Sequence, residues 1–184
     1  MARGLYEQAQ PLLERALKIR QATLGGEDPE VAESLAGLGI LVGRRGGAER
    51  SAALLRQALG IQEKVLGPAH PRVAITLKAL GVGARYRSDW AEADRLYRKA
   101  LAIQEKALGL EDPEVARTIN NLGVNARDLG DYVEAERLCR KALAIREKAL
   151  GPNHPDLADT LNNLGVIASS GRSDYVEADR LYRR

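Results

Sequence analysis

The feature that most constrains this chain is an internal repeat of 42 residues. Four prolines recur at that spacing, at Pro29, Pro71, Pro113 and Pro155. A Leu-Gly pair precedes each of them at the same offset. A repeat of this length cannot bury an apolar face alone and is stabilised by stacking on its neighbours. The sequence therefore predicts an array of repeats rather than a single globular core.

The third copy shows the two helices that we predict in every repeat. Its first helix begins after Asp112, with proline at the first helical position, and its apolar residues recur at helical spacing from Val115 to Ala126. The second helix begins near Asp131, a suitable N-cap, and ends at a Leu-Gly pair. Each helix is amphipathic, so each pair has an apolar stripe to bury against the next pair.

We therefore predict an all-α fold, a solenoid of stacked antiparallel helix pairs that forms a single array over 1–184. Its expected parts are a second helix of a partial repeat at 5–24, full helix pairs at 28–66, 70–108 and 112–150, and a last, shorter pair at 154–184. One register slip falls in SSGRSDY (169–175), which is one residue longer than RDLGDY (127–132). We expect that insertion to lie in a loop.

Composition narrows the function classes. The 28 basic and 25 acidic residues are spread along the chain, so no basic block predicts nucleic-acid binding. No apolar run reaches the length of a membrane span, and the N-terminus lacks an apolar signal segment, so we expect a cytoplasmic protein with no membrane partner. The single cysteine, Cys139, replaces Tyr97 and Leu55 at the same repeat position, which predicts core packing.

Catalytic and cofactor chemistry find no support in the sequence. No acid, base and nucleophile stand at catalytic spacing, so we expect neither enzyme activity nor a cofactor. His70 and His154 lie two repeats apart, which argues against a shared metal site and favours helix capping. The glycine runs at 37–43 and 81–86 follow no predicted strand and complete no phosphate-binding fingerprint.

The phrases TLNNLGVIA and DYVEAERLCRKALAIREKALGPNHPD resemble tetratricopeptide (TPR) repeats of the kinesin light chain type. In the third copy the signature of that family is matched by Leu122, Gly123, Tyr132, Ala135 and Ala142. The resemblance covers the chain and implies a right-handed superhelix that acts as a protein-interaction scaffold. The first copy departs from the pattern, since Ala48 stands where the second copy has Trp90.

Two asparagine pairs stand 42 residues apart in predicted first helices, although asparagine is a poor helix former. The resemblance implies that first helices line a concave groove that binds peptide segments. Carried onto this chain, it assigns the groove to Lys78, Val82, Arg85, Arg117, Asn120, Asn121, Val124, Arg127, Asn162, Asn163 and Val166. An amide both donates and accepts hydrogen bonds and so suits a peptide backbone, whereas the four cations in this set would favour acidic partners.

Several alternatives stay open at this point. One asparagine of each pair could instead bond to the neighbouring helix pair and stabilise the stack. The chain could be a structural module that self-associates end to end through uncapped solenoid ends, or a sensor fragment of a larger signalling ATPase. Nucleic-acid binding through arginine and lysine is the least favoured reading and predicts an affinity that falls steeply with salt.

Overall fold

The structure is a computed structural model that describes residues 2–184, with side chains described for residues 8–171 and 173–184. Within that part the chain forms nine α-helices, one 3₁₀ turn and no strand, which confirms the all-α prediction. The helices are α1 (Ala2–Leu24), α2 (Pro29–Arg44), α3 (Ala48–Leu66), α4 (Pro71–Tyr86), α5 (Trp90–Leu108), α6 (Pro113–Asp128), α7 (Tyr132–Leu150), α8 (Ala158–Arg172) and α9 (Tyr175–Tyr182). The 3₁₀ turn, Pro155–Leu157, leads directly into α8.

The chain divides into two compact units, and the boundary between them in the sequence lies between Asp89 and Trp90. In the first unit, α2 packs against α1, α3 and α4. In the second unit, α6 packs against α5, α7 and α8, and α8 also packs against α7 and α9. The first helices of the pairs are α2, α4 and α6, which begin with a proline, and α8, which follows the 3₁₀ turn that begins with Pro155. The helix after each of them is the second.

The first helices begin at capped prolines. The Asp112 carboxylate accepts a hydrogen bond from the Glu114 N–H at 2.7 Å. His70 takes the same role, because its Nδ1 accepts from the Arg72 N–H at 3.2 Å. His154 likewise accepts from the backbone two residues on, at 3.2 Å. The capping role predicted for the two histidines is thus confirmed.

The register slip near the end is accommodated differently from the prediction. α8 runs through Arg172, so residues 169–172 are helical, and the loop expected there is wrong. The chain turns only at Ser173, whose φ of 53° lies in the left-handed region. Gly171 permits the close packing of this helix end, since a Cβ on it would lie 2.3 Å from Cγ of Tyr132. Without a side chain, the lengthened helix end packs directly against that ring.

Close approach within a helix pair depends on a glycine. A Cβ on Gly123 would lie 2.6 Å from Sγ of Cys139 and 3.2 Å from the Ala135 carbonyl oxygen. Both neighbours belong to α7, so a side chain at this position would force α6 and α7 apart. Gly165 has the same place in the next pair, where a Cβ would lie 2.5 Å from Cε1 of Tyr182.

A polar contact joins each second helix to the next first helix within the second unit. The Thr118 hydroxyl on α6 donates to Oε1 of Gln104 on α5 at 2.5 Å. One repeat later, Arg146 on α7 donates to the Thr160 hydroxyl on α8 at 2.7 Å and to the Asp156 carbonyl at 2.9 Å. All four side chains in the two hydroxyl contacts are buried, so each contact is a junction bond shielded from water.

The first unit repeats these junction bonds. Thr76 on α4 donates to Oε1 of Gln62 on α3 at 2.8 Å. Arg20 on α1 donates to the Ser34 hydroxyl on α2 at 2.7 Å, with the Arg20 side chain 39% exposed. The partners are always 14 residues apart in sequence. The four bonds are therefore one repeated device that fixes how a helix pair seats on the pair before it.

Replacing Thr118 with valine removes one junction hydroxyl and leaves the buried Gln104 amide without its partner. We expect Thr118→Val to lower the free energy of unfolding by about 1–3 kcal/mol in urea titrations. Adding Gln104→Leu is expected to recover part of that loss, because no buried polar group is then left unpaired. Thr23→Val, at an exposed helical threonine, is the matched control. Equal midpoints for the two threonine variants would contradict a role for the junction bond.

The close approach at Gly123 gives a second prediction. Gly123→Ala is expected to destabilise the chain by about 1–3 kcal/mol through overpacking against Cys139. Gly37→Ala is the control, because a Cβ there meets nothing within 4 Å and alanine is the better helix former. Thermal unfolding followed by circular dichroism compares the two. A melting temperature for Gly123→Ala at or above that of the parent would show that the helices are not held this closely.

Candidate peptide-binding surface

In the second unit, part of the predicted surface lies on α6 and α8, which contact each other. Five of its residues are half-buried, and we call them the first-helix face: Asn121, Val124 and Arg127 on α6, and Asn163 and Val166 on α8. Asn163 and Val166 are the repeat equivalents of Asn121 and Val124, 42 residues on. The neighbouring helices α6 and α8 therefore each carry an asparagine and a valine at equivalent repeat positions.

The two asparagines of a pair have different environments. Asn120 is only 7% exposed, and Nδ2 of Asn163 lies 3.4 Å from its Oδ1, a long hydrogen bond between α6 and α8. The stacking role that the sequence left open is therefore observed at this junction. Asn121 is half-buried, while Asn162, the equivalent of Asn120, is exposed.

The two arginines of the predicted set in this unit are paired with carboxylates on their own helix. Arg117 is exposed and contacts Glu114 at 2.6 Å. Arg127 contacts Asp128 at 2.7 Å, with each side chain 23% exposed. Each of these two cations has a carboxylate beside it, so they contribute little net positive charge to the predicted surface.

The remaining predicted residues lie on α4 in the first unit. Lys78 is 8% exposed, while Val82 and Arg85 are half-buried. The Arg85 guanidinium lies 5.1 Å from the centre of the Tyr86 ring, a cation–π distance. Tyr86 is itself 74% exposed. In this unit too, an arginine of the predicted set has a partner of its own.

A further asparagine in α6 was not among the residues predicted for the site. Asn125 is 2% exposed, and its Nδ2 donates to the Trp90 carbonyl at 3.0 Å, at the start of α5. Its Oδ1 has no hydrogen-bond partner among the described residues. The sequence does indicate that this asparagine is buried, since the same repeat position holds Leu41 in the first copy and Ile167 in the fourth. An amide at an apolar core position indicates a specific hydrogen bond.

A sequence profile of the tetratricopeptide repeat matches residues 1–64, 44–106 and 114–184. The chain belongs to the tetratricopeptide repeat family. The family expected from the repeat signature is thereby confirmed. A comparison with curated proteins finds no match.

Solved structures agree with this assignment. The TPR chain is similar to BtubC (BKLC) from P. vanneervenii, with a TM-score of 0.84 and 26% identity over 100% of this chain and 72% of the other. It is also similar to a putative kinesin light chain from Podosopora anserina with nearly identical TPR-like repeats, with a TM-score of 0.80 and 26% identity over 99% of this chain and 85% of the other. The predicted fold class, a solenoid of antiparallel helix pairs, is confirmed by these structures and by the observed helices.

The structure also bears on metal binding, membrane insertion and the reactivity of the cysteine. Among the residues that the structure describes, no three or more His, Cys, Asp or Glu side chains are grouped to hold a metal ion. None of the helices in that part of the TPR chain combines the length and the apolar character needed to cross a bilayer. Cys139 is fully buried, as its repeat position predicted, and burial raises the pKa of its thiol to about 11.

The buried thiol gives a measurable prediction. At pH 8 we expect iodoacetamide to label Cys139 at least about a hundredfold more slowly in the folded chain than in urea, since the thiolate is the reactive form. The raised pKa also sets a pH dependence. The unfolded thiol ionises near pH 8.5 and the folded one near pH 11, so its contribution to stability is present below pH 8 and is lost as the pH rises through that window.

Cys139→Ala is the reference for that pH dependence. The variant lacks the thiol, so the stability advantage of the parent over it is expected to shrink between pH 8 and pH 11. Urea titrations at several pH values measure the difference. Equal labelling rates for the folded and unfolded parent would contradict a buried thiol.

Proposed function

We propose that this TPR chain is a non-catalytic protein-interaction scaffold, and that the first-helix face of its second unit binds an extended peptide segment. The observation that carries the proposal is the repeated placement of Asn121 and Asn163. These amides occupy the same position on two neighbouring first helices, and each lies half-buried beside a valine. Membership of a family of interaction scaffolds supports the general function.

The chemistry of the face suits a peptide backbone. An extended chain presents unpaired N–H and C=O groups at each residue, with about 3.3–3.4 Å of rise between residues. An asparagine amide can donate to the carbonyl and accept from the N–H, so it recognises the backbone whatever the peptide sequence. Val124 and Val166 offer apolar contact to alternate peptide side chains. The face therefore favours extended segments that carry small or apolar residues.

Charge is expected to contribute less than the sequence suggested. The predicted preference for acidic partners depended on four cations, of which Arg117 and Arg127 contact carboxylates and Arg85 lies over a tyrosine ring. An acidic peptide must compete with those carboxylates for the two arginines. We propose a weak preference for acidic segments and an affinity that changes little with salt. Binding of nucleic acid would instead weaken steeply as salt rises.

A peptide selected from a randomised phage-displayed library against the whole chain provides the probe. Its dissociation constant is measured by fluorescence anisotropy. The double variant Asn121→Ala/Asn163→Ala is expected to bind it at least about tenfold more weakly, a loss of about 1.4 kcal/mol. Asn153→Ala, at an exposed loop asparagine, is the matched control and is expected to bind as the parent does. Circular dichroism verifies that both variants are folded.

Backbone recognition has its own signature. Methylation of a contacted backbone nitrogen removes a donor without changing the side chains of the peptide. We expect methylation at one or two central positions to weaken binding to the parent but to have little further effect on the double variant. If the double variant binds the selected peptide as tightly as the parent, the first-helix face is not the binding surface.

A further inference from the structure

The two units of the chain differ in charge. Residues 1–89 contain 13 basic and 9 acidic residues, whereas residues 90–184 contain 15 basic and 16 acidic residues. Ion pairs within the first unit can neutralise no more cations than it has carboxylates, so the unit keeps an excess of cations however its own side chains pair. A charge asymmetry between two parts of a chain suggests that the basic part has a polyanionic partner.

Four arginines of the first unit lie at the C-terminal ends of its two first helices, and we call them the arginine edge. Arg44 and Arg45 end α2, while Arg85 and Arg87 end α4. The two helices contact each other, and Arg45 and Arg87 occupy the same repeat position on them. All four side chains except the half-buried Arg85 are exposed. The sequence shows no continuous basic block, because the two halves of the edge lie one repeat apart along the chain.

Four glutamates of the first unit pair with cations outside this edge. The ion pairs are Arg20–Glu30, Arg50–Glu14, Lys64–Glu27 and Arg72–Glu33. Glu49 and Asp89 are the carboxylates closest to the edge in sequence, and they are two against four arginines. The excess positive charge of the unit is therefore concentrated at the ends of α2 and α4.

Helix capping does not by itself account for the edge. A cation stabilises the negative end of a helix dipole, so an arginine in the last turn is favourable in any helix. The two repeat positions that hold Arg44 and Arg45 hold no cation in the second unit, where they are occupied by Asp128, Leu129, Ser170 and Gly171. A cluster of arginines at this place is thus a feature of the first unit and not of every first helix.

An exposed aromatic ring lies within the edge. Tyr86 is 74% exposed at the end of α4, and the guanidinium of Arg85 lies 5.1 Å from the ring centre. A cation over one face of an aromatic ring leaves the other face for a planar ligand. Nucleobases stack on aromatic side chains in this way, while guanidinium groups bind phosphate oxygens in bidentate fashion. The edge therefore combines the two kinds of group that bind a single strand.

We propose that the arginine edge binds single-stranded nucleic acid, with the arginines on its phosphates and a base stacked on Tyr86. A duplex keeps its bases stacked inside, so the ring favours a single strand. A membrane surface is disfavoured, because the large apolar residues next to the edge in sequence, Leu41 and Val42, are buried and cannot insert among lipid chains. The edge is separate from the first-helix face and does not depend on the function proposed for it.

Fluorescence anisotropy with labelled oligouridine and oligothymidine, each of about 12 nucleotides, measures binding to the whole chain. Each contacted phosphate of a single strand contributes about 0.7 to the slope of log affinity against log salt. With about three or four contacts, we expect the dissociation constant to rise roughly twentyfold or more between about 50 and 200 mM salt. Saturable binding of either probe supports the proposal, and the tighter probe identifies RNA or DNA as the ligand.

The position of the charge is tested with two matched double variants. Arg45→Gln/Arg87→Gln is expected to weaken binding at least about tenfold at low salt and to lower the salt slope by about 0.7 for each arginine lost. Arg15→Gln/Arg56→Gln removes two exposed arginines from the second helices α1 and α3 of the same unit and is expected to bind nearly as the parent does. Circular dichroism verifies that both variants are folded.

Stacking on the ring has a different signature. Tyr86→Leu keeps an apolar side chain but removes the aromatic face. We expect it to bind about fivefold or more weakly with an unchanged salt slope, because stacking involves no counterion release. Tyr86→Phe keeps the ring and is expected to bind as the parent does. The high exposure of Tyr86 means that neither change disturbs the core.

Three outcomes would overturn the proposal. The first is no saturable binding of either oligonucleotide to the parent at low salt. The second is an equal loss of affinity in the two arginine double variants, which would reduce binding to attraction by net charge. The third is parent affinity for Tyr86→Leu, and binding of phosphatidylserine vesicles in that case would assign the edge to a membrane surface. Asn121→Ala/Asn163→Ala is expected to bind the oligonucleotides as the parent does, so failure of the first-helix face to bind peptides would leave these results unchanged.

Discussion

The junction bond between consecutive helix pairs is the interaction on which the rest of each unit depends. Packing of leucine and alanine stripes is not directional, so apolar contact alone would let one pair slide or rotate on the next. A buried hydroxyl bonded to Gln104 or Arg146 removes that freedom, since a shift would leave a polar group unpaired in the core. Glycines such as Gly123 set the helix separation within a pair, and the junction bonds set the register between pairs.

The candidate surface follows from that register. Because α8 is held on α7 by Arg146 and Thr160, its Asn163 comes within reach of Asn120 on α6. That contact engages Asn120 and one N–H of Asn163 in the stack, and it leaves Asn121 together with the second N–H and the Oδ1 of Asn163 for other partners. In the third copy, Asn120 therefore stabilises the stack, and Asn121 is the one that we propose to bind a peptide. The loss of helix propensity at two neighbouring positions is offset by an interhelical contact and, on our proposal, by binding of a peptide backbone.

Much of the fold followed from the sequence, and the site followed less well. The 42-residue period, the proline starts and the glycine stops are local signals, and they placed the helix pairs. Burial and pairing depend on neighbours distant in sequence, so the different environments of Asn120 and Asn121 and the carboxylate partners of Arg117 and Arg127 did not follow from it. The junction bonds did leave a signal, since Gln62 and Gln104 recur with threonines 14 residues on. An amphipathic pattern predicts that such polar residues are exposed to solvent, so it did not predict these buried hydrogen bonds.

The most direct test of the account is a nitrogen-15 NMR titration that follows the side-chain amides of the six asparagines while a peptide selected for extended binding is added. Single substitutions assign the signals. We expect the amide signals of Asn121 and Asn163 to shift when the peptide binds, while the signal of the buried Asn125 amide does not. Shifts confined to Asn153 and Asn162, or none at any asparagine, would contradict the central claim that the first-helix face is the working surface of this chain.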